Sequence, residues 1–384
     1  MNHPRQDGTA RAPAPGTAWA STPPLAPGPA TPPVSRPAPP RLAWGEDQGR
    51  LQAVSVWTER VPGRGEDAEP FVAHHWSSFQ GLLAVFDGSG GAGAAPAWQA
   101  PDGTSRTSAW VGARAARLAM DCWFQDVASD RMADDPQMLH QYLEYFLEKA
   151  PQRRSKIGGT MRRQLPTTLA GVHYRLTDGD EEVELCALWA GDSRAYVLLP
   201  ESGLHVLTRD HTRESDALEL LRSDPPMTNL VCADRDFEID SQRLVVQLPG
   251  VLVAATDGFF GYVHTPGDFE LLLLQTLQEA GGAVEWAHLL RREVEAYTAD
   301  DASLALLTLG YEDFADLRAQ FAPRLQQLRQ QQSVGRPGAL AGAPDPAVDP
   351  RKTAAEIKAW QDRSWQAYRH GYESHMPPAP EELV

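Results

Sequence analysis

Short apolar runs of strand length begin at about Leu51 and alternate with two pairs of helix-like stretches. The runs are rich in Val, Leu, Thr and aromatic residues, and turn sequences such as DGD, PESG and PG separate them, so they predict antiparallel strands. They read LQAVSVW, GLLAVFD, TTLAGVHYRL, VELCALWAGDSRAYVLL, LHVLT, FEIDSQRLVVQL, VLVAAT and ASLALLTLG. Helical spacing of apolar positions predicts helices over about 105–127, 135–149, 268–279 and 283–297. This order of elements predicts an α+β fold with helices packed outside the sheets.

The two ends of the chain differ in amino-acid composition from this central part. Residues 1–40 hold 12 of the 32 prolines, mixed with Ala, Gly, Ser and Thr, which predicts a disordered Pro/Ala-rich tail over 1–45. A folded domain is expected over 46–312, followed by a polar helical extension over 313–332 and a Gly/Pro/Ala linker over 333–350. The segment 351–384 is predicted to be an aromatic amphipathic helix and a tail.

The aromatic positions of this last helix fall on one face. Ile357, Trp360, Trp365, Tyr368 and Tyr372 recur at helical spacing. Two interpretations stay open. The helix docks back on its own domain, or it enters a groove of a partner protein through its aromatic anchors.

Composition and charge narrow the classes of function. Apolar residues make up 42% of the 384 residues, which is ample for a buried core. A net charge of −16 argues against binding to nucleic acid or to anionic membranes, since both need clustered Lys and Arg. Three widely spaced cysteines without a CxxC pattern suit a reducing compartment, and no apolar run reaches the length of a membrane span. We therefore expect a cytoplasmic protein without nucleic-acid or membrane partners.

The most informative feature is a set of aspartates at the ends of apolar strands. Asp87 and Asp257 each follow such a strand and precede a glycine, while Asp300 comes just before another strand. Any one of them fits an ordinary Asp-Gly or Asx turn. Three together, however, would face a desolvation cost that a cation could offset. If they converge, their oxygens select Mn²⁺ or Mg²⁺, and two such ions would predict phosphoester hydrolysis.

At these residues the sequence resembles the metal-dependent serine/threonine protein phosphatases of type 2C, in their bacterial form. VFDGSGG, WAGDSRAYVL, LTRDHT, AATDGFF and DDASLALL are similar to boxes of that family, as are GRGEDA and PTTLAG. The seven matches occur in family order over about residues 50–310. The resemblance implies two packed antiparallel sheets, a central β-sandwich, flanked by helix pairs in four α-β-β-α layers.

The resemblance also implies roles for individual residues. Asp87 would be the ligand shared by two Mn²⁺ or Mg²⁺ ions, Gly88 would offer its carbonyl, and Asp257 and Asp300 would hold the second ion. A water bridging the two ions would attack phosphorus directly.

Two further acidic residues precede these in the chain. By the resemblance, Glu66 would act through a metal-bound water, and Asp67 would lie behind the ligands. The aspartate and arginine of the GDSR motif, Asp192 and Arg194, are predicted instead to be a turn carboxylate and its structural partner.

Several positions depart from the family pattern. Ser89 stands where eukaryotic members have a histidine, and Gly261 stands at a position that is often acidic. The family's phosphate-binding arginine corresponds to Pro62, with Arg60 and Arg64 on either side, and spacing does not choose between these two. Either would offer a planar donor fork to phosphate.

The resulting hypothesis is a protein serine/threonine phosphatase whose substrates are phosphorylated by a serine/threonine kinase. The alternative is a catalytically weak or inactive phosphatase-like scaffold or sensor that acts through its tails. An activity towards small phosphate esters stays open as a third possibility.

Overall fold

The computed structural model describes residues 42–48, 50–152, 163–177, 181–223, 225–338 and 350–379. Most of the predicted N-terminal tail lies outside these ranges, as do residues 339–349 of the predicted linker and the last five residues. The proline-rich composition ends at Pro40, and the first strand begins two residues later at Leu42.

The described strands are β1 (Leu42–Gln48), β2 (Leu51–Thr58), β3 (Phe71–His75), β4 (Gln80–Val85), β5 (Pro96–Gln99), β6 (Ser105–Thr107), β7 (Leu169–Leu176), β8 (Glu182–Ala190), β9 (Arg194–Leu199), β10 (Gly203–Val206), β11 (Asp240–Gln247), β12 (Gly250–Ala255) and β13 (Ala302–Leu309). The helices are α1 (Gly90–Gly93), α2 (Ser108–Ala128), α3 (Pro136–Lys149), α4 (Ala217–Arg222), α5 (Asp257–Phe260), α6 (Pro266–Glu279), α7 (Ala283–Tyr297), α8 (Phe314–Ser333) and α9 (Pro350–Tyr372).

The strands form two antiparallel sheets and a small hairpin. The first sheet has the order β1-β2-β13-β12-β9-β10, and the second has the order β11-β8-β7-β4-β3. The strands β5 and β6 pair only with each other. Each pairing in both large sheets is antiparallel, as the turn sequences predicted.

Side chains alternate between two cores along each central strand, which is the period of a β-strand. In β4, Leu83 and Val85 face the other sheet and pack near Leu252 of β12. Leu82 and Ala84 point the opposite way, into a core shared with α2 and α3. The outer face of the first sheet is covered in the same manner by α6 and α7. The molecule therefore has the four α-β-β-α layers, and the α+β fold class is confirmed.

The predicted helices form close to their predicted bounds because their ends carry suitable caps. Thr107 caps α2 by accepting a hydrogen bond from the amide of Trp110, and Asp135 caps α3 in front of a proline. Thr265 and Asp268 form a capping box at the start of α6. None of the helices described is both long and apolar enough to cross a membrane.

The C-terminal helix packs against its own domain. Trp360, Trp365, Tyr368 and Tyr372 of α9 are buried, and the last three belong to the core formed with α6 and the first sheet. Docking on its own domain, the first of the two interpretations left open by the sequence, is thus the arrangement found. The aromatic face offered to a partner by the second interpretation is covered.

Candidate functional site

Five acidic segments meet at one end of the sandwich because the sheets are antiparallel. The register pairs Ala302 at the start of β13 with Thr58 at the end of β2. In the second sheet, the end of β4 lies beside the start of β7 and the end of β8. The connections that hold Glu66–Asp67, Asp87, Asp192, Asp257 and Asp300–Asp301 therefore all leave the sheets at the same end.

The backbone of Asp87 is fixed by the strand beside it. Its carbonyl accepts hydrogen bonds from the amide of Thr168 at 2.8 Å and from the hydroxyl of Thr167 at 2.7 Å. The hydroxyl of Thr168 in turn lies 2.6 Å from that of Ser193, in the turn that carries Asp192. The PTTLAG and GDSR segments thus hold the Asp87 connection in place from one side.

A neighbouring carboxylate holds the connection that carries Glu66. Asp301 accepts the backbone N–H of Arg60 on Oδ1 at 2.8 Å and that of Glu66 on Oδ2 at 2.6 Å. The Glu66 side chain accepts a hydrogen bond from the Thr107 hydroxyl. Asp67 is almost fully buried and accepts a hydrogen bond from the Thr256 hydroxyl at 3.0 Å. Asp301 and Thr256 therefore position the two acidic residues of the GRGEDA segment.

Close approach of the backbone explains three glycines at this end. A Cβ on Gly88 would lie 2.6 Å from the carbonyl oxygen of Glu66, and one on Gly90 would lie 1.9 Å from Glu66 Oε2. A Cβ on Gly258 would lie 2.0 Å from the carbonyl oxygen of Asp301. The acidic segments are packed so closely that a side chain does not fit between them.

The carboxyl groups of these segments raise one another's pKa. Burial raises the pKa of Asp87 well above its usual range, and the charges of Asp67, Asp257, Asp192 and Asp300 raise it further. The pKa of Asp192 is raised by burial and then by Asp257. Asp87, Asp257 and Asp300, which the sequence placed at three separate strand ends, thus lie close enough for their charges to interact.

Glu66 and Asp67 belong to the same electrostatic cluster. Burial is the largest cause that raises the pKa of each, and Asp301 adds to both shifts. The hydrogen bond from Thr107 lowers the pKa of Glu66, and those from Ser303 and Thr256 lower that of Asp67. These hydroxyls offset only part of the cost of holding so many acidic groups together.

The donor set suits a hard divalent cation, although it is not a closed ligand shell. Oδ1 of Asp192 is buried, and no described residue gives it a hydrogen bond. A buried oxygen of this kind is costly unless a positive charge lies near it. Among the residues that the structure describes, no three His, Cys, Asp or Glu side chains are already arranged to coordinate a metal ion. Mutual repulsion favours such an open arrangement, and a cation would offset it.

A cleft of about 340 Å³ lies against the acidic cluster. Asp192, Asp257 and Asp300 line it on one side. The other lining residues come from α4 and its flanks, from the end of α5 and the turn after it, from the start of β9 and from the segment after β10: Arg194, Asp210, Thr212, Leu220, Leu221, Arg222, Ser223, Pro225, Phe260, Gly261 and Tyr262. The carboxylates at its base are partly exposed, so a ligand in the cleft would reach them.

The arginines near this end differ in their surroundings. Arg60 and Arg64, the two predicted phosphate-binding residues, are exposed on the turn that leads to Glu66, and neither lines the cleft. Arg194 lines the cleft and is held by a two-point ion pair with Asp210, at 2.9 and 2.8 Å. Arg194 therefore makes its ion pair with Asp210, while its charge still lowers the pKa of Asp192, the turn carboxylate of its own motif. Arg222, which the sequence did not single out, also lines the cleft.

Asp192 is the residue of the cluster that sequence reasoning undervalued. It was predicted to be a turn carboxylate, yet it lines the same cleft as Asp257 and Asp300. Part of the signal was the same as for Asp87 and Asp257, because Asp192 also comes just after a buried strand, although its glycine precedes it. Its position in the short connection from β8 of one sheet to β9 of the other made a plain turn the simpler interpretation.

Comparisons with known proteins give similar solved structures but no match in sequence. No model of a protein family matches the chain, and no curated protein does. The S. agalactiae serine/threonine phosphatase has 14% identity over 67% of this chain and 99% of its own, with a TM-score of 0.44. Stp1 of Staphylococcus aureus has 16% identity over 70% of this chain and 97% of its own, with a TM-score of 0.47. PstP of Mycobacterium tuberculosis has 16% identity over 67% of this chain and 98% of its own, with a TM-score of 0.42. Similarity of this size carries no argument about the chemistry, which rests on this chain's residues.

Proposed function

We propose that this chain is a metal-dependent protein serine/threonine phosphatase of type 2C. The observation that supports it is the cluster of carboxylates at one end of the sandwich, where Asp87 lies within electrostatic reach of Asp257 and Asp300. Asp192 adds to the same cluster a buried oxygen that no described residue hydrogen-bonds, and a positive ion would stabilise it. The seven sequence boxes of the family occur in the strands and connections that build this end.

In this proposal, Asp87 and the Gly88 carbonyl would help to hold two Mn²⁺ or Mg²⁺ ions. Asp257 and Asp300 would also hold metal, and Glu66 would contribute through water. Bound there, the ions would supply a nucleophile from water at neutral pH and offset the charge of the phosphate. Asp67 accepts a hydrogen bond from the Thr256 hydroxyl and would not contact the ions directly. Asp301 holds the Glu66 backbone and thereby sets the direction of that side chain.

The protein's other contributions are binding of the phosphate and release of the alcohol. Arg60 and Arg64 remain the proposed phosphate-binding residues, since both are exposed next to Glu66 and free to turn towards a bound substrate. Ser89 lies at the position where some relatives carry a histidine, and its side chain accepts no hydrogen bond from the first turn of α1. Water is therefore the proposed source of the proton for the leaving group.

The proposed substrates are phosphoserine and phosphothreonine on proteins, the products of a serine/threonine kinase. An open cleft with partly exposed carboxylates at its base suits a phosphate on a short side chain of a larger molecule. The cytoplasm stays the proposed location, because the three cysteines are all free thiols.

Hydrolysis of p-nitrophenyl phosphate and of a phosphothreonine peptide, with and without Mn²⁺, tests the proposal. The wild-type protein should hydrolyse the peptide only with the metal. Asp87→Asn and Asp257→Asn should each lower turnover by about 10²-fold or more, as expected for loss of a metal ligand. Asp121→Asn on the surface of α2 makes the same chemical change outside the cluster and should leave turnover unchanged.

Three results would contradict the proposal in different ways. Wild-type protein that binds Mn²⁺ but hydrolyses neither compound would favour the phosphatase-like scaffold. Hydrolysis of the aryl ester with none of the peptide would favour an activity on small phosphate esters. Full activity in Asp87→Asn and Asp257→Asn would mean that the reaction occurs elsewhere on the molecule.

A further inference from the structure

The C-terminal helix α9 contacts both walls of the cleft. One wall is α4, whose residues Leu220, Leu221 and Arg222 line it. A second wall is the turn after α5, where Gly261 and Tyr262 line it. The position of α9 beside both walls follows from the burial of its aromatic face against the same domain.

A single turn of α9 joins the two walls. Arg222 donates from Nη2 to Asp362 Oδ1 at 2.7 Å and to Gln361 Oε1 at 3.2 Å. Gln361 then donates from Nε2 to the carbonyl of His264 at 2.9 Å, two residues beyond Tyr262. The chain of contacts therefore runs from one side of the cleft, through α9, to the other side.

A second contact fixes the opposite end of α4. Asp216 caps this helix by accepting the amide of Leu218 on Oδ1 at 2.9 Å. Its other oxygen, Oδ2, accepts hydrogen bonds from Trp365 Nε1 at 3.1 Å and from Arg369 Nη1 at 2.8 Å. A helix of six residues is not stable alone, so these bonds at its two ends decide where it lies.

The remaining contacts make α9 a fixed part of the fold. The Tyr368 hydroxyl donates to Glu270 Oε2 at 2.6 Å, and Glu270 also forms a buried ion pair with Arg324 of α8. Arg194, which lines the cleft, donates to the Tyr372 hydroxyl at 3.3 Å. A helix tied at these points transmits its position to the cleft.

We propose that α9 positions the substrate-facing walls of the cleft, with Asp362 and Gln361 holding Arg222 where a phosphorylated protein meets it. The inference rests on the proposed phosphatase function. A phosphopeptide extends from the acidic cluster along α4 and depends on the position of Arg222. A small aryl phosphate reaches only the carboxylate end and does not.

Asp362→Asn tests this, since it removes one charge and keeps the shape of the side chain. The KM for a phosphothreonine peptide should rise by about two- to fivefold, the range expected for one partly exposed ion pair. The kcat for the peptide, and both constants for p-nitrophenyl phosphate, should stay unchanged. Backbone amides of α4 should exchange their hydrogens faster. Glu356→Gln changes a matched exposed carboxylate on the same helix and should alter none of these.

Two further comparisons separate the possible failures. In an Arg222→Gln background, Asp362→Asn should have no additional effect on KM, because it acts through that arginine. Unchanged peptide KM in an active enzyme, unchanged exchange in α4, or an additive effect in the double variant would each overturn the inference. Absence of turnover in the wild-type protein would instead refute the phosphatase function on which the inference rests.

Discussion

Removal of the Trp365 side chain should destabilise the whole domain, because α9 is part of its core. The indole is only 2% exposed, and it packs against the rings of Tyr372 and Tyr368 at 5.6 and 6.5 Å between centroids. Its Nε1–H donates to Asp216. Truncation of a buried tryptophan to alanine costs about 3–5 kcal/mol, and loss of the hydrogen bond adds about 1 kcal/mol. We therefore expect Trp365→Ala to lower the free energy of unfolding by about 4–6 kcal/mol.

The size of the domain converts this figure into a temperature. The structure describes about 310 residues of this domain. At about 2.1 cal/mol/K per residue, its entropy of unfolding is about 0.7 kcal/mol/K, so the Tm should fall by roughly 6–9 °C. The measurements are urea denaturation followed by circular dichroism and scanning calorimetry, both in EDTA.

Trp76→Ala is the matched control. That indole is 54% exposed at the β3–β4 hairpin, so its truncation should change stability by less than about 1 kcal/mol. If Trp365→Ala and Trp76→Ala lowered the free energy of unfolding by equally small amounts, the docking of α9 on its domain would be refuted. An early, separate transition in wild-type protein that vanishes in Trp365→Ala, with the main transition unmoved, would refute it equally.

Two more predictions concern the acidic end itself. Gly90→Ala should lower Mn²⁺-dependent turnover by roughly tenfold, because its Cβ would displace the Glu66 carboxylate. Gly91→Ala, whose Cβ meets nothing within 4 Å, should leave turnover unchanged. Steady-state kinetics would measure both, and equal turnover in the two variants would contradict the placement of Glu66. In metal-free protein, the folded state holds protons on Asp67 and Asp87 more tightly than the unfolded chain does, so stability should fall as pH rises above about 4. Asp87→Asn should flatten this slope and raise the Tm at pH 7 in EDTA, and a clear destabilisation there would argue against mutual repulsion.

Local sequence patterns predicted most of the elements and the ends where the acidic residues lie. Short apolar runs separated by turn sequences predicted the longer strands, and the pattern of an apolar run followed by Asp-Gly marked Asp87 and Asp257. Their convergence depends on the antiparallel register of strands far apart in the chain, such as Ala302 opposite Thr58. Periodicity alone cannot supply that register, and the family resemblance carried this step.

The parts that could not be predicted depend on contacts between distant segments. Aromatic spacing in α9 is the same whether the helix covers its own domain or a partner, so it could not choose between them. The deciding groups, Asp216 and Glu270, lie about 100 residues or more away and look like ordinary surface carboxylates in the sequence. For the same reason, the sequence paired Arg194 with its near neighbour, whereas the fold pairs it with Asp210.

Calorimetric titration of Mn²⁺ into metal-stripped protein tests the central claim most directly. The account predicts that the wild-type protein and Asp121→Asn each bind two ions, and that Asp87→Asn, which lacks the shared ligand, loses the heat of both. Binding by Asp87→Asn with wild-type stoichiometry and affinity would contradict the claim that these strand-end carboxylates form the metal centre.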